Sequence, residues 1–115
     1  MSTPIGPYSP IVRAGGFLIC SGQIGIAGGS LVRGGLIAQF RQAVANAEAV
    51  LATEGATLGD VVKTTVFLLH MNDFDTMNEA YVECFGGNRP ARSAIGVDAL
   101  PLGALVEIEL LAYTG

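Results

Sequence analysis

One stretch of the chain has apolar residues at the three- and four-residue spacing of an amphipathic helix. These apolar positions are Ile37, Phe40, Val44, Ala47 and Leu51. The polar positions off this stripe are Gln39, Arg41, Gln42, Asn46 and Glu48. The pattern predicts a helix over residues 36–54. Gly55 is its expected end, because glycine takes the left-handed conformation there without steric cost.

A second helix is predicted to begin with Asn72 or Asp73 as its N-cap and to end at residues 86–87. Its apolar stripe is Phe74, Met77, Tyr81 and Cys84 or Phe85. Asn78 lies one position off this stripe. The pattern therefore leaves open whether Asn78 faces solvent or the rim of a pocket.

Runs of β-branched and aromatic residues predict the strands. Residues 11–13 and 17–22 flank a turn at Gly15-Gly16, which predicts a hairpin. The nine residues 61–69 predict a central strand. Between them, residues 25–35 carry five glycines and predict a loose hairpin with one short strand.

The last predicted strand alternates strictly over residues 105–113. One face carries Val106, Ile108, Leu110 and Ala112. The other face carries Leu105, Glu107, Glu109, Leu111 and Tyr113. Two carboxylates thus share a face that is apolar at both ends, where burial without partners is costly. An exposed strand with both glutamates directed outward is the alternative.

The predicted order is β-β-(β)-α-β-α-β-β, an α+β fold with a mixed sheet whose two helices cover one face. No third helix is predicted for the second face, which also carries apolar residues. Half of the residues are apolar and 14% are charged, too few charges to coat a monomer generously. We therefore expect other copies of the chain, related by cyclic symmetry, to cover the second face.

Length and charge restrict the class of protein further. The 115 residues fit one domain, residues 1–115, with a core that needs no disulfides. The net charge of −4 and the lack of a Lys/Arg cluster argue against a nucleic-acid partner. The N-terminus shows no basic segment followed by an apolar one, and no apolar run has membrane-spanning length. These features predict a soluble cytoplasmic protein without a membrane partner.

The cysteines and the histidine do not form a metal-binding pattern. Cys20 and Cys84 lie on apolar runs and match no metal-ligand spacing, so we expect both to be reduced and buried. His70 is the only histidine and is expected at the surface after a strand. Without a His/Cys cluster, a zinc site is not predicted.

Two side chains are candidates for binding a ligand. Residues 4–10 hold three prolines around Tyr8, so Tyr8 is presented from a stiff loop. Arg92 begins an apolar run that predicts a strand, and its guanidinium can bind a carboxylate through two parallel hydrogen bonds. Arg92 is therefore a candidate carboxylate clamp. A solvated edge charge or a structural ion pair is the alternative.

Six segments, in order along nearly the whole chain, resemble the reactive intermediate deaminase family, also called Rid or YjgF. They are Ile5-Gly6-Pro7-Tyr8-Ser9-Pro10, Ser21-Gly22-Gln23-Ile24, Gly59-Asp60-Val61-Val62-Lys63-Thr64-Thr65-Val66, Asn72-Asp73-Phe74 with Asn78, Arg89-Pro90-Ala91-Arg92-Ser93, and Leu100-Pro101 leading to Val106-Glu107-Ile108-Glu109. The resemblance implies a chorismate-mutase-like fold and a homotrimer whose sheets form a central barrel. It places a ligand site in each cleft between subunits.

The resemblance also implies an activity and its residues. The family's reaction is the hydrolysis of enamines and imines such as 2-aminoacrylate to 2-oxo acids and ammonia, without a metal or organic cofactor. The implied enzyme is a deaminase of the 2-iminobutanoate/2-iminopropanoate type. The implied catalytic residues are Arg92, Glu107 and Tyr8, and the implied substrate-binding residues are Ser21, Gly22, Phe74, Asn78 and Ala94.

The chemistry of these groups suits that reaction. An iminium carbon is already electrophilic, so catalysis needs an oriented substrate and a well-placed water. Arg92 would hold the substrate carboxylate, while Glu107 would take a proton from water and return it to the leaving nitrogen. A carboxylate with both tasks needs a raised pKa, which a mostly apolar cleft supplies by desolvation.

Three departures from the family pattern bear on substrate choice. Many relatives have cysteine where this chain has Ala94, a change of little consequence if only the backbone contacts the ligand. Arg89 stands where an aromatic residue is frequent, and the connection over residues 26–35 is short and glycine-rich. These changes would alter the rim of the pocket.

Two other functions compete with the enzyme. A non-catalytic trimer that binds or senses 2-oxo acids would need Arg92 alone. Ribonuclease or translation-inhibitor activity is also attached to the family. The acidic chain, with its single histidine and no basic groove, argues against it.

Overall fold

A computed structural model describes residues 6–115 of the chain. The strands and helices are β1 Ile11–Ala14, β2 Phe17–Ile24, β3 Ile26–Ala27, β4 Ser30–Leu31, α1 Gly35–Ala52, β5 Val61–Leu68, α2 Phe74–Phe85, β6 Ala91–Gly96 and β7 Val106–Tyr113. Single turns of 3-10 helix lie at Leu58–Asp60, Met71–Asp73 and Pro101–Gly103. The predicted proline-rich arm starts at Pro4, and its first two residues lie outside the described range.

Five of the strands form one sheet in the order β1-β2-β7-β5-β6. The β5–β6 pair is parallel and the other pairs are antiparallel, so the predicted mixed sheet is confirmed. Both helices pack on one face of the sheet. Their buried side chains, such as Phe40 and Met77, join one core with Val66 and Ile108 of the sheet. We call the opposite side the open face.

The first predicted helix is confirmed within two residues at its C-terminal end. Gly55 follows α1 with φ 73° and donates its N–H to the Ala52 carbonyl at 3.1 Å, as the glycine stop requires. Gln39 differs from the expectation, because this polar side chain off the apolar stripe is buried. Its Oε1 accepts the N–H of Leu105 at 2.9 Å, which satisfies the buried amide oxygen.

The alternation of β7 is confirmed. Val106, Ile108, Leu110 and Ala112 are buried in the core, and the other residues of the strand lie on the open face. That face carries large apolar side chains that are 43–50% exposed: Val12, Phe17, Ile19, Ile95 and Tyr113. The exposure of several such residues on one sheet face is typical of a surface that another chain covers.

Three smaller expectations need correction. Residues 25–35 form two strands of two residues each, β3 and β4, because the hairpin pairs both of its arms. Phe85 rather than Cys84 completes the buried stripe of α2, so Cys84 is only half-buried. Asp73 is the N-cap residue of α2, as predicted, but its side chain makes no capping hydrogen bond because a 3-10 turn leads directly into the helix. His70 is exposed after β5, as expected.

Both free thiols lie in the described part of the chain. Among residues 6–115, no helix has the length and apolar character needed to cross a membrane. No group of three His, Cys, Asp or Glu side chains in this range is arranged to hold a metal ion.

Candidate functional site

The predicted site residues fall into two separate clusters of the chain. The first, the arginine cluster, consists of Arg92, Phe74, Asn78 and Tyr81. Arg92 Nη1 donates to Asn78 Oδ1 at 2.7 Å, and its guanidinium carbon lies 4.9 Å from the ring centre of Tyr81 and 5.6 Å from that of Phe74. Two aromatic rings and an amide thus hold a cation in place without neutralising it.

Arg92 has no carboxylate within 4.0 Å in the described part of the chain, where the ion pairs are Arg13–Glu54 and Arg41–Glu83. Among the described residues, Arg92 therefore does not form the structural ion pair that was the alternative. A guanidinium has five N–H donors, and the Asn78 oxygen and the Met77 sulfur, at 2.7 and 3.9 Å, both accept from Nη1. Donors of the fork remain for an anionic ligand.

Ala94 lies two residues further along β6, on the same face as Arg92, with its methyl group against the core. In the described part of the chain, strand β6 pairs only with β5, so its second edge is open there. Val97 donates its N–H to the Leu68 carbonyl of β5, and backbone direction alternates along a strand. The N–H of Ala94 therefore points to the open edge, and a cysteine side chain is not needed to present it.

The second cluster surrounds a cavity of about 1090 Å³ at the end of β2, which we call the glutamate cavity. Its walls include the predicted residues Tyr8, Ser21, Gly22 and Glu107. Glu109 and residues that the sequence did not single out, among them Gln42, Asn46 and Leu102, complete them. No Lys or Arg stands among the described residues of these walls. The cavity is therefore acidic.

Ser21 attaches the arm that carries Tyr8. Its hydroxyl donates to the Ser9 carbonyl at 2.6 Å, and its N–H donates to the Pro10 carbonyl at 2.9 Å. Tyr8 is 46% exposed at the cavity wall. In this chain Ser21 thus holds the tyrosine arm, and its hydroxyl oxygen can still accept a hydrogen bond from a ligand.

A β-bulge brings Gly22 against Glu107. The pairing of β2 with β7 shifts between Cys20 and Gln23, which inserts an extra residue at this point. A Cβ at position 22 would collide with the Glu107 carboxylate. With Glu107 in this position only glycine fits at position 22, and a larger residue would have to displace the carboxylate.

The surroundings of Glu107 favour its protonated form. Burial raises the pKa of Glu107, and the negative charge of Glu109 on the same face raises it further. Both effects oppose loss of the proton. This direction is the one expected for a group that must both accept and return a proton.

Arg92 and Glu107 lie on opposite faces of the sheet. Glu107 is paired with Phe67, and Phe67 is paired with Ile95, so these three side chains share the open face. Arg92 is three residues from Ile95 and therefore points to the helix face, where it meets α2. One copy of the chain cannot bring the two side chains to the same small ligand.

Sequence reasoning missed Tyr81 as a ring beneath Arg92. The residue fits the apolar stripe of α2, and only the structure shows that its hydroxyl bonds Thr64 at 2.8 Å while its ring faces the guanidinium. Arg89, expected at the pocket rim, donates to the Gly86 and Asn88 carbonyls beyond the end of α2.

Comparison with known proteins agrees with this fold. The family model described as Endoribonuclease L-PSP matches residues 1–114. A RutC family protein of Pyrococcus horikoshii is 49% identical, over 96% of this chain and 89% of the relative. A mouse protein named 2-iminobutanoate/2-iminopropanoate deaminase is 46% identical, over 96% of this chain and 84% of the relative.

A solved structure of the Rid family protein YyfA from Yersinia pestis superposes with a TM-score of 0.92 at 44% identity, covering 96% of this chain and 90% of that one. Fold and sequence together thus define a Rid-type α+β protein. The chain belongs to the Endoribonuclease L-PSP family, which is the Rid (YjgF) family that its motifs resemble.

Proposed function

We propose that the chain is an imine deaminase that hydrolyses 2-imino acids and their enamine tautomers, such as 2-aminoacrylate, to 2-oxo acids and ammonia. One observation carries the proposal: each cluster has the group that the other lacks. The arginine cluster offers a cation with free donors, and the glutamate cavity offers a carboxylate with a raised pKa. A site shared between two copies would contain both.

In the proposed mechanism, Arg92 binds the substrate carboxylate and the open N–H of Ala94 directs the substrate at the β6 edge. The enamine first becomes an imine. Water then adds to the imine carbon while Glu107 accepts one of its protons. Glu107 returns this proton to the nitrogen, which gives a carbon that carries a hydroxyl and an amino group. The hydroxyl proton then passes to the amino group, the C–N bond breaks, and ammonia and the 2-oxo acid are released. Tyr8 donates a hydrogen bond to the substrate or to the water.

We propose a homotrimer, with the open faces forming a central barrel, as the assembly that joins the two clusters. The exposed apolar side chains of the open face support it, because a monomer would leave them in water. A cyclic arrangement places the same two surfaces of neighbouring copies together at every interface. Light scattering should give three times the chain mass, and a monomeric mass at micromolar concentration would contradict the shared site.

The endoribonuclease named in the family description is a weaker candidate for this chain. The net charge is −4, and His70 is the only histidine, so a basic groove and a histidine pair are both lacking. We expect no cleavage of RNA.

We also propose a cytoplasmic location, which the two free thiols support because reducing compartments keep thiols unpaired.

A non-catalytic 2-oxo acid binding protein is the second candidate, because the arginine cluster alone could hold a carboxylate. A coupled assay separates the two functions. A dehydratase acting on serine generates 2-aminoacrylate, and the deaminase should accelerate pyruvate release. Arg92→Ala should weaken 2-oxo acid binding by 30-fold or more, on the order of 2–5 kcal/mol for a desolvated charge pair.

Glu107→Gln distinguishes the enzyme from the binding protein. It keeps the shape of the side chain but cannot take a proton, so turnover should fall about 100-fold while 2-oxo acid affinity stays within several-fold. Glu109→Gln is the control for the strand register and should retain most turnover. If neither glutamate affects pyruvate release while Arg92 governs affinity, the protein is a binder.

A further inference from the structure

Three amide side chains of α1, Gln39, Gln42 and Asn46, lie on one side of the helix at spacings of three and four residues. We call them the amide row. Gln39 Oε1 accepts the Leu105 N–H at 2.9 Å. Asn46 Nδ2 donates to the Ile24 carbonyl at 3.1 Å and to the Ile26 carbonyl at 2.9 Å. The row therefore binds the backbone just after the bulge of β2 and just before β7.

Gln42 completes the row by orienting Asn46. Its Nε2 donates to Asn46 Oδ1 at 2.9 Å, so the Asn46 amide group is held with its NH2 toward the two carbonyls. The helix also packs closely on the residue that follows β2, because a Cβ at Gly25 would lie 2.6 Å from the backbone of Gln39. The separation between α1 and this backbone is thus set by contact as well as by hydrogen bonds.

The two backbone segments held by the row are those that bring Gly22 and Glu107 together. Ile24 is the register partner of Glu107, and Leu105 is two residues before it. On its other side, β2 pairs with β1 only as far as Cys20, so within residues 6–115 no second strand lies beside residues 21–24. On the side of Ile24 away from β7, the amide row supplies the hydrogen bond that a neighbouring strand would otherwise make.

We propose that Gln39 and Asn46 are positioning residues of the deaminase. Gln39 holds the start of β7 and Asn46 holds the end of β2, so that the Glu107 carboxylate stays against Gly22. Gln39 does not line the cavity and acts through the Leu105 backbone. Asn46 lines the cavity wall and also holds the Ile24 and Ile26 carbonyls, and the proposal concerns this second role. The expected loss of turnover rests on the function proposed above. The surroundings of the carboxylate can be tested without turnover, through the Glu107 pKa.

The partial burial of Glu107 is the measurable sign of this positioning. The titratable residues among the described walls of the cavity are Tyr8, Glu107 and Glu109. Loosening β7 from α1 would admit water to the Glu107 carboxylate, and its pKa would then fall toward the ordinary value. A residue that only stabilises the fold would lower the melting temperature and leave that pKa unchanged.

The experiment compares wild type with Gln39→Met and Asn46→Leu, which keep size but remove the acceptor and the donor. The full-length protein, with 13C-labelled glutamate side chains, is titrated by NMR to obtain the Glu107 pKa. We expect this pKa to fall in both variants, with turnover reduced about 10- to 100-fold and 2-oxo acid affinity within threefold of wild type. Gln42→Met removes only the hydrogen bond to Asn46, so it should change the Glu107 pKa and the turnover less than the other two variants do. This milder variant tests the inference if the other two fold poorly.

Arg41→Gln is the matched control, because Arg41 lies on the same helix and contacts exposed Glu83 instead of the cavity. It should leave the Glu107 pKa and turnover at wild-type values. An unchanged Glu107 pKa in folded Gln39→Met, Asn46→Leu and Gln42→Met would overturn the inference. A pKa that shifts in a protein without deaminase activity would support the positioning role and refute the proposed function.

Discussion

The Glu107 carboxylate occupies the space that a side chain at position 22 would fill. We therefore expect Gly22→Ala to displace the carboxylate from the cavity wall. Turnover should fall by about 100-fold, the scale of a lost general acid-base group, while Arg92-dependent binding of 2-oxo acids is retained. The change is measured with the coupled pyruvate assay and by calorimetric titration.

Gly59→Ala is the control for this substitution. Gly59 lies in a 3-10 turn, and a Cβ there would be 3.4 Å from Thr57 Oγ1, an ordinary contact. It should have wild-type activity. Normal turnover in Gly22→Ala would mean that Glu107 does not need its present position.

Mixing two inactive variants tests whether Arg92 and Glu107 of different copies share a site. Arg92→Ala and Glu107→Gln are each expected to be inactive alone. When the two are co-refolded in equal amounts, about a quarter of the inter-subunit sites in random trimers should hold both intact residues. About a quarter of wild-type activity should then return.

The same mixture without refolding is the control, because intact oligomers of a single variant contain no complete site. Complementation should appear only after the subunits exchange. If co-refolded mixtures that contain mixed oligomers by mass spectrometry stay inactive, then Arg92 and Glu107 do not work together across subunits.

Sequence patterns predicted the helices and strands well because each has an apolar period that matches its burial. The alternation of β7, for example, separates Ile108 from Glu107 without any tertiary knowledge. They could not predict that Arg92 and Glu107 point to opposite faces, because that relation depends on the register of β5 with both β6 and β7. Buried Gln39 was also missed, since its partner is 66 residues away.

The raised pKa of Glu107 predicts a pH-dependent stability. A carboxyl group whose pKa is higher in the folded state binds its proton more tightly when folded. The contribution of Glu107 to stability is therefore greatest below the ordinary pKa of 4.5 and falls as the pH rises through the interval up to the raised value. Glu107→Gln removes this charge, so it should raise the melting temperature at pH 7.5 by a few degrees and have little effect at pH 4.

Glu48→Gln is the matched control for the charge change, because Glu48 is exposed on α1. Its effect on the melting temperature should be small and nearly independent of pH. If Glu107→Gln lowers the melting temperature equally at pH 4 and pH 7.5, then burial does not disfavour the charged form of the Glu107 carboxyl group.

Leu102 is the one non-glycine residue in the range 6–115 with a positive φ, 57°, and its side chain is 60% exposed. A residue with a Cβ in this conformation destabilises the fold by about 1–2 kcal/mol, which glycine avoids. Glycine in turn destabilises the fold by about 0.4–1 kcal/mol, because it gives the unfolded chain more conformational freedom. Leu102→Gly should therefore be about 0.5–1 kcal/mol more stable to urea than Leu102→Ala. The control is Ala45→Gly in exposed helix, where glycine should instead cost about 1 kcal/mol. If glycine is the less stable residue at both positions, the turn before β7 is not left-handed at Leu102.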